Sequence, residues 1–238
     1  MTLNPKYLRG CVLAFDFAEL SGSTVYDLSG NGNHGTIYGA SWRKGPLIGS
    51  LYFDGEDDYL EVPADPSFDL DTFTAEFLVR FDKAPETEKP FINKYGLTAV
   101  TPYWDFRVRV NSYYAFQWRD VDGNERRWGW NYNICDGKWH HIVFGRNYGV
   151  EFFGYLDGGN YRTRTDDVGS IKNSRGIYIG RVLNTYMFGH TAFLRIYNRI
   201  LTSKEVKEHY YYVKNMISKP RFPIFYKYRR TKFVPALA

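Results

Sequence analysis

Between Tyr26 and Trp42 the chain reads YDLSGNGNHGTIYGASW, which gathers Asp27, Gly30, Asn31, Gly32, Asn33, His34 and Gly35. Such residues serve three kinds of chemistry: ligation of a hard cation, cradling of a phosphate, or proton transfer by histidine. The spacing excludes the second. A P-loop needs G-x-x-x-x-G-K-[ST], and a dinucleotide fingerprint needs a helix after its glycines, whereas a strand-like run follows here. His34 has no nucleophile or acid partner nearby, so catalysis is not expected of it. What remains is a turn, with ligation of a hard cation still open. Gly30, Gly32 and Gly35 are expected at backbone angles denied to other residues, with Asn31 and Asn33 tolerating the same region. Asp27 caps the turn through its carboxylate, and His34 packs and hydrogen-bonds beneath it.

The acids offer two further chemistries. Glu19, Asp27, Asp54, Asp57 and Asp58, with loop carbonyls, are hard oxygen ligands of the type calcium takes. Glycoside hydrolysis needs two carboxylates flanking the bond, and on a strand these must share a face at i, i+2 or i, i+4. No E-x-D-x-E run exists, and no cysteine and histidine assemble a nucleophilic dyad. The chain is expected not to be an enzyme. Cys11 and Cys135 lack metal-ligand spacing and a CxxC partner, and are read as two buried thiols rather than a disulfide.

The strongest candidate binding surface spans residues 104 to 132. In WDFRVRVN, Trp104, Phe106, Val108 and Val110 share one face; Asp105, Arg107, Arg109 and Asn111 share the other. Tyr114, Phe116 and Trp118 alternate with Tyr113, Gln117 and Arg119, while Trp128, Trp130 and Tyr132 alternate with Arg127, Gly129 and Asn131. One face is core. The other collects Arg107, Arg109, Tyr113, Gln117, Arg119, Arg127 and Asn131, which can hydrogen-bond sugar hydroxyls or fork an acidic glycan. A solvated, charge-laced sheet face is the alternative, and the sequence leaves both open.

These side chains need strands to hold them. An aromatic fraction of 19% within a hydrophobic fraction of 44% favours pleated, half-buried surfaces over helices. Strand-like runs bounded by turn residues recur, among them CVLAFDF, YLEVP, FTAEFLVRFD, WHHIVFGRN, VEFFGYLDG, GIYIGRV and AFLRIYNR. In FTAEFLVRF, Phe73, Ala75, Phe77, Val79 and Phe81 share a face opposite Thr74, Glu76 and Arg80, which predicts a sheet packed on one side and wet on the other. DVDGNE reads as a hairpin turn. One helical signal, LTSKEVKEHYYYV, carries Thr202 or Ser203 as its cap and Glu205 as a capping-box acid. The pattern predicts an all-β, two-sheet antiparallel β-sandwich with one short C-terminal helix and an extended tail.

Seven motifs in order, FDFAELSGSTVYDLSGNGNHGTIYGASW, GSLYFDGEDDYLEVP, FTAEFLVRF, DGKWHHIVFGRN, GYLDG, IYIGR and LRIYNRILTSKEV, cover roughly residues 11 to 210. Together they resemble the laminin-G-like jelly roll of the concanavalin A-like lectin/glucanase superfamily. The resemblance implies two curved antiparallel sheets acting in binding or adhesion, often of glycans, and sometimes holding calcium between loops at the sandwich edge. It makes GEDDYLEVP a non-catalytic turn and one of His140 and His141 structural. The chain departs from the family pattern before RIYNR, where Ala192 and Phe193 replace an acidic pair.

The net charge of +5 is concentrated at one end: after His209 come Lys214, Lys219, Arg221, Lys227, Arg229, Arg230 and Lys232, and no acids. Interleaved Phe222, Phe225, Tyr226, Tyr228 and Phe233 give this segment the means to stack on nucleic acid or lie on an anionic membrane. The prolines favour a third reading, an extended arm that docks on other protein subunits, and nucleic acid is not the expected partner. The expected organisation is a lead-in over 1–10, a jelly roll over 11–213 and a basic assembly arm over 214–238. No apolar run of about 18 residues predicts a transmembrane helix, and the N-terminus lacks a signal-peptide cleavage site. The expected function is a non-catalytic, lectin-like structural or adhesive subunit of a larger assembly, such as a virus or phage particle, on a virion or extracellular surface; the alternatives are a freestanding lectin and, after it, a glycoside hydrolase or lyase.

Overall fold

The computed structural model describes residues 5–95, 102–111 and 113–218. Its strands in chain order are β1 (Cys11–Phe15), β2 (Thr24–Val25), β3 (Gly35–Tyr38), β4 (Ser41–Lys44), β5 (Gly49–Asp54) and β6 (Tyr59–Val62). There follow β7 (Phe73–Arg80), β8 (Lys89–Lys94), β9 (Tyr103–Val108), β10 (Tyr114–Arg119), β11 (Glu125–Trp130) and β12 (Trp139–Asn147). The last are β13 (Glu151–Leu156), β14 (Gly159–Thr165), β15 (Ile177–Ile179), β16 (Arg181–Val182), β17 (Thr185–Tyr186) and β18 (Phe188–Tyr197), before helix α1 (Ser203–Ser218). No helix among the described residues is long and apolar enough to cross a membrane.

The strands make an antiparallel sandwich. The first sheet runs β14-β13-β12-β7-β18-β5-β4, with β1 also paired to β18, and the second runs β11-β10-β9-β8-β15-β6-β3-β2. Between them lies the predicted core. Phe73, Ala75, Phe77, Val79 and Phe81 of β7 and its end are buried against Phe91, Trp104, Phe106 and Phe116 of the second sheet. Rings interlock across it: Phe116 and Phe144 have centroids 4.4 Å apart, and Trp118 stacks on Phe152 at 3.6 Å. Such pairs add to the burial of large aromatic area. The alternation stops at Trp130 and Val108: Tyr132 and Val110, expected on the core side, are exposed beyond the strand ends. The DVDGNE segment is the predicted hairpin turn, with Gly123 at φ +85° and Asp120 accepting the Asp122 and Asn124 amides.

The far side of the first sheet is not wet. Thr74, Glu76 and Leu78 are all buried, because α1 and the N-terminal segment cover that face. One patch packs Ala14, Val143, Phe153, Tyr197, Leu201 and Val206; another packs Leu78, Ala192, Phe193 and Val213. Ala192 and Phe193, which depart from the acidic pair that the resemblance implies, therefore form the apolar seat of the helix. The capping box forms as expected, with Glu205 accepting from the Thr202 amide and hydroxyl while the Glu205 amide donates to Thr202 Oγ1. The helix continues to Ser218, five residues beyond the expected boundary, because Val206, His209, Val213 and Met216 extend one face. The rest of the assembly arm, 219–238, and residues 1–4 of the lead-in lie outside the described residues.

Candidate functional site

The glycine-rich loop is a turn. The Asp27 carboxylate accepts from the amides of Ala14, Ser29 and Asn33 and from the Ser29 hydroxyl, at 2.7–3.0 Å. The Asp27 amide donates to His34 Nδ1 at 3.0 Å, but His34 is exposed, edge-on to Tyr26, rather than packed beneath the turn. Gly30 and Gly32 take φ of +93° and +77°; Gly35, Asn31 and Asn33 do not adopt positive φ. Gly35 instead opens β3, where a Cβ would press on Leu60, and the Asn33 side chain donates to the Val12 carbonyl and Ser67 hydroxyl. Asp27→Ala should therefore destabilise the protein by about 2–3 kcal/mol, since it strands buried donors. Urea denaturation at neutral pH checks this, and a loss below about 0.5 kcal/mol would contradict it.

The five expected calcium ligands do not converge as one set. Asp27 is committed to its turn, and Glu19 accepts the Tyr26 amide. Asp54 and Asp57 do come together with Asp58, their carboxylate oxygens within 4.8 Å of one another. Two of the three already serve the β5–β6 turn: Asp58 Oδ2 accepts the Asp54 amide and Asp54 Oδ1 the Glu56 amide. Burial pushes the Asp58 carboxyl above its ordinary range. The geometry is that of a turn whose carboxylates hold its own backbone. Cys11 and Cys135 are both buried and not joined by a disulfide.

On the second sheet the register lines up one polar row. Across β6, β15, β8, β9, β10 and β11, Glu61, Tyr178, Asn93, Asp105, Gln117 and Arg127 are successive cross-strand partners. All lie on the face opposite Phe106 and Phe116. Its β9–β11 half holds most of the predicted binding residues, and their arginines are already engaged by neighbouring acids, an amide and a carbonyl. Arg107 forks the buried Asp105 at 2.8 and 2.6 Å, and burial pushes the Asp105 carboxyl upward against the pull of that guanidinium. Arg109 and Arg127 both reach Glu88 Oε1 at 3.0 Å, and Arg127 also donates to Gln117 Oε1 at 2.7 Å. Gln117 in turn donates to Tyr103 and Glu125. Arg119 turns to the hairpin and donates to the Gly123 carbonyl, while Tyr113 and Asn131 sit past the strand ends. Glu88, the acid that gathers the arginines, lies outside the run that the sequence singled out.

The other half of the row opens into a recess of about 220 Å³, lined by Glu61, Asn93, Tyr95, Arg175, Tyr178, Arg181, Val182 and Leu183. Tyr178 donates to Glu61 Oε1 at 3.0 Å; burial, then this bond and the Glu61 charge, push its phenol upward. Asn93 donates to the Tyr178 and Arg181 carbonyls at 3.3 and 2.6 Å, which fixes its amide, and leaves its buried Oδ1 without a donor among the described residues. Arg181 donates to the Leu183 carbonyl and lies over the rings of Tyr59, at 4.7 Å, and Tyr186, at 5.7 Å. Tyr59 stacks on the exposed Tyr38 with centroids 4.4 Å apart and planes 9° from parallel. A polar recess thus adjoins an accessible tier of tyrosines, the combination that holds a sugar by its hydroxyls and its apolar ring face.

Comparison with known proteins fits this architecture. The binding domain of Paraclostridial Mosquitocidal Protein 1 matches with a TM-score of 0.71 at 16% identity, over 86% of this chain and 52% of that one. The receptor binding domain of botulinum neurotoxin C/D mosaic serotype matches with a TM-score of 0.72 at 13% identity, over 86% and 51%. The botulinum neurotoxin serotype D ligand binding domain in complex with N-acetylneuraminic acid matches with a TM-score of 0.70 at 13% identity, over 87% and 52%. The chain spans about half the length of these structures, and at such identities they share its fold. No curated protein matches the chain by sequence. A laminin G-type family model, described as Concanavalin A-like lectin/glucanases superfamily, matches residues 54–207. With the sandwich, its strand order and this match over most of its length, the chain belongs to the laminin G-type family of the concanavalin A-like lectin/glucanase superfamily.

Proposed function

We propose that the chain is a non-catalytic, lectin-like binding module that takes a carbohydrate in the recess between β6, β8, β15 and the β16–β17 hairpin. The observation that carries this reading is the junction of Glu61, Asn93 and Tyr178 with the Tyr38–Tyr59 stack. Among the described residues, the recess lining contains a single carboxylate, Glu61, whereas glycoside hydrolysis needs two. The serotype D ligand binding domain, of which this chain spans about half, was solved with N-acetylneuraminic acid, which makes carbohydrate the ligand class to test first. The assembly role expected of the basic arm rests on residues outside those described, and so adds nothing to this assignment.

A glycan array probed with the full chain tests the reading. Retention of at least one glycan is expected, weakened by about tenfold in Glu61→Ala and in Tyr38→Ala, each of which removes one ligand contact of about 1–1.5 kcal/mol. Binding that neither substitution alters would overturn the site, and turnover of any polysaccharide would overturn the non-catalytic assignment.

A further inference from the structure

Two sets of arginines on this sheet face differ in how their charge is met. Arg107, Arg109 and Arg127 are matched by Asp105 and Glu88, so their charge is met within the protein. Arg175 and Arg181 project into the recess and form no ion pair among the described residues. Glu61 is the acid of the recess lining, and it already accepts the Tyr178 hydroxyl. The recess therefore carries more positive than negative charge, in a wall where water is partly excluded.

We propose that the recess is selective for a sugar bearing a carboxylate, held by Arg175 and Arg181. The inference rests on the carbohydrate reading above and gives it a ligand class. A guanidinium offers paired donors that match a carboxylate in its plane, and such charge-assisted bonds are about twice as strong as neutral ones. Arg181 is pre-positioned by the Leu183 carbonyl and the flanking Tyr59 and Tyr186 rings, so little freedom is lost when an anion binds. Arg175 approaches from the loop before β15, whose Asn173 fixes it by accepting the Arg175 amide at 2.9 Å. The same Asn173 donates to the Lys94 and Pro102 carbonyls at 3.1 and 2.6 Å, tying that loop to the ends of β8 and β9. The sugar ring's apolar face lies along the tyrosine tier.

The test is a binding titration of the full chain with glycoconjugates ending in N-acetylneuraminic acid or glucuronic acid. Their methyl esters and a sulfated neutral sugar are the comparisons. The acids should bind about 10- to 100-fold more tightly than their esters, the range expected for a charged hydrogen-bonded pair. Arg175→Gln and Arg181→Gln should each abolish most of that preference, while Arg109→Gln, whose charge is already met by Glu88, should keep it. Thermal melts of each variant separate lost binding from lost fold. Acids and esters bound equally well would overturn the carboxylate assignment and leave the carbohydrate reading standing. Preference for the sulfated sugar alone would do the same. Failure to retain any glycan would overturn both.

Discussion

Glu76→Ala should cost about 3–5 kcal/mol of stability, the range for removing one partner of a buried ion pair. Glu76 is 0% exposed. Its Oε1 accepts from His141 Nε2 at 2.7 Å and His209 Nδ1 at 2.9 Å, and its Oε2 from Arg195 Nη1 at 3.1 Å and the Tyr197 hydroxyl at 2.8 Å. The substitution leaves the Arg195 guanidinium, itself buried, without its counter-ion, and releases the histidine that pins α1 to the sheet. Glu76→Gln keeps the shape and should cost less, but still leaves Arg195 uncompensated. The effect depends on pH with a definite sign. Burial disfavours the Glu76 carboxylate, but Arg195 and His209 outweigh it and hold the group well below its ordinary value of 4.5. Because the folded value is depressed, the stabilisation is complete above the unfolded value and is lost as pH falls through the folded one. Urea denaturation of wild type and Glu76→Gln should thus show a gap that is full at pH 7 and narrows in acid. A gap that widened in acid, or a loss under about 1 kcal/mol for Glu76→Ala, would show that the cluster contributes no net stabilisation.

Glu76 also marks the limit of reading faces from a strand's own alternation. FTAEFLVRF identifies Phe73, Phe77 and Val79 as core because their spacing is set locally, and the structure puts them there. Whether the opposite face meets water depends on a helix some 130 residues later, which no period-two pattern in β7 reports. The candidate site shows the same division. The polar alternation of β9, β10 and β11 was legible since hairpins join neighbours in sequence. Glu61, Asn93 and Tyr178 come together because β15 lies between β6 and β8, a strand order that chain order does not disclose. Glu88 was hidden for a different reason: it stands just before β8, and the alternation within β9, β10 and β11 does not report which residue outside them reaches their arginines. Asp27 was legible because its donors, Ser29 and Asn33, lie within its own loop.

Arg146→Met should be of similar severity, about 3–5 kcal/mol, and should also weaken binding at a distance. The Arg146 guanidinium is buried and grips both oxygens of the buried Asp166 at 2.8 and 3.0 Å. It also donates to the carbonyls of Val168 and Gly169 at 2.8 and 2.7 Å. Asp71, which approaches Arg146 at 3.4 Å, closes the same loop from the other side by accepting the Ser170 hydroxyl and the Ile171 amide. This clamp shapes the segment after β14 that delivers Asn173 and Arg175 to the recess. Methionine fills the space beside Phe152 but strands the Asp166 charge and two carbonyls. Lysine, a single point charge, does not replace a planar fork that serves acceptors in several directions, so Arg146→Lys should recover only part of the loss. Asp166→Asn introduced with Arg146→Met removes the orphaned charge and should restore part of the stability, which makes the two effects non-additive. Denaturant midpoints for the four proteins of this cycle, with affinity for a carboxylated glycoconjugate measured on each, decide the matter. Additive losses would show that the pair does not act as a unit, and unchanged affinity in a folded Arg146→Met protein would show that Arg175 is placed without the clamp.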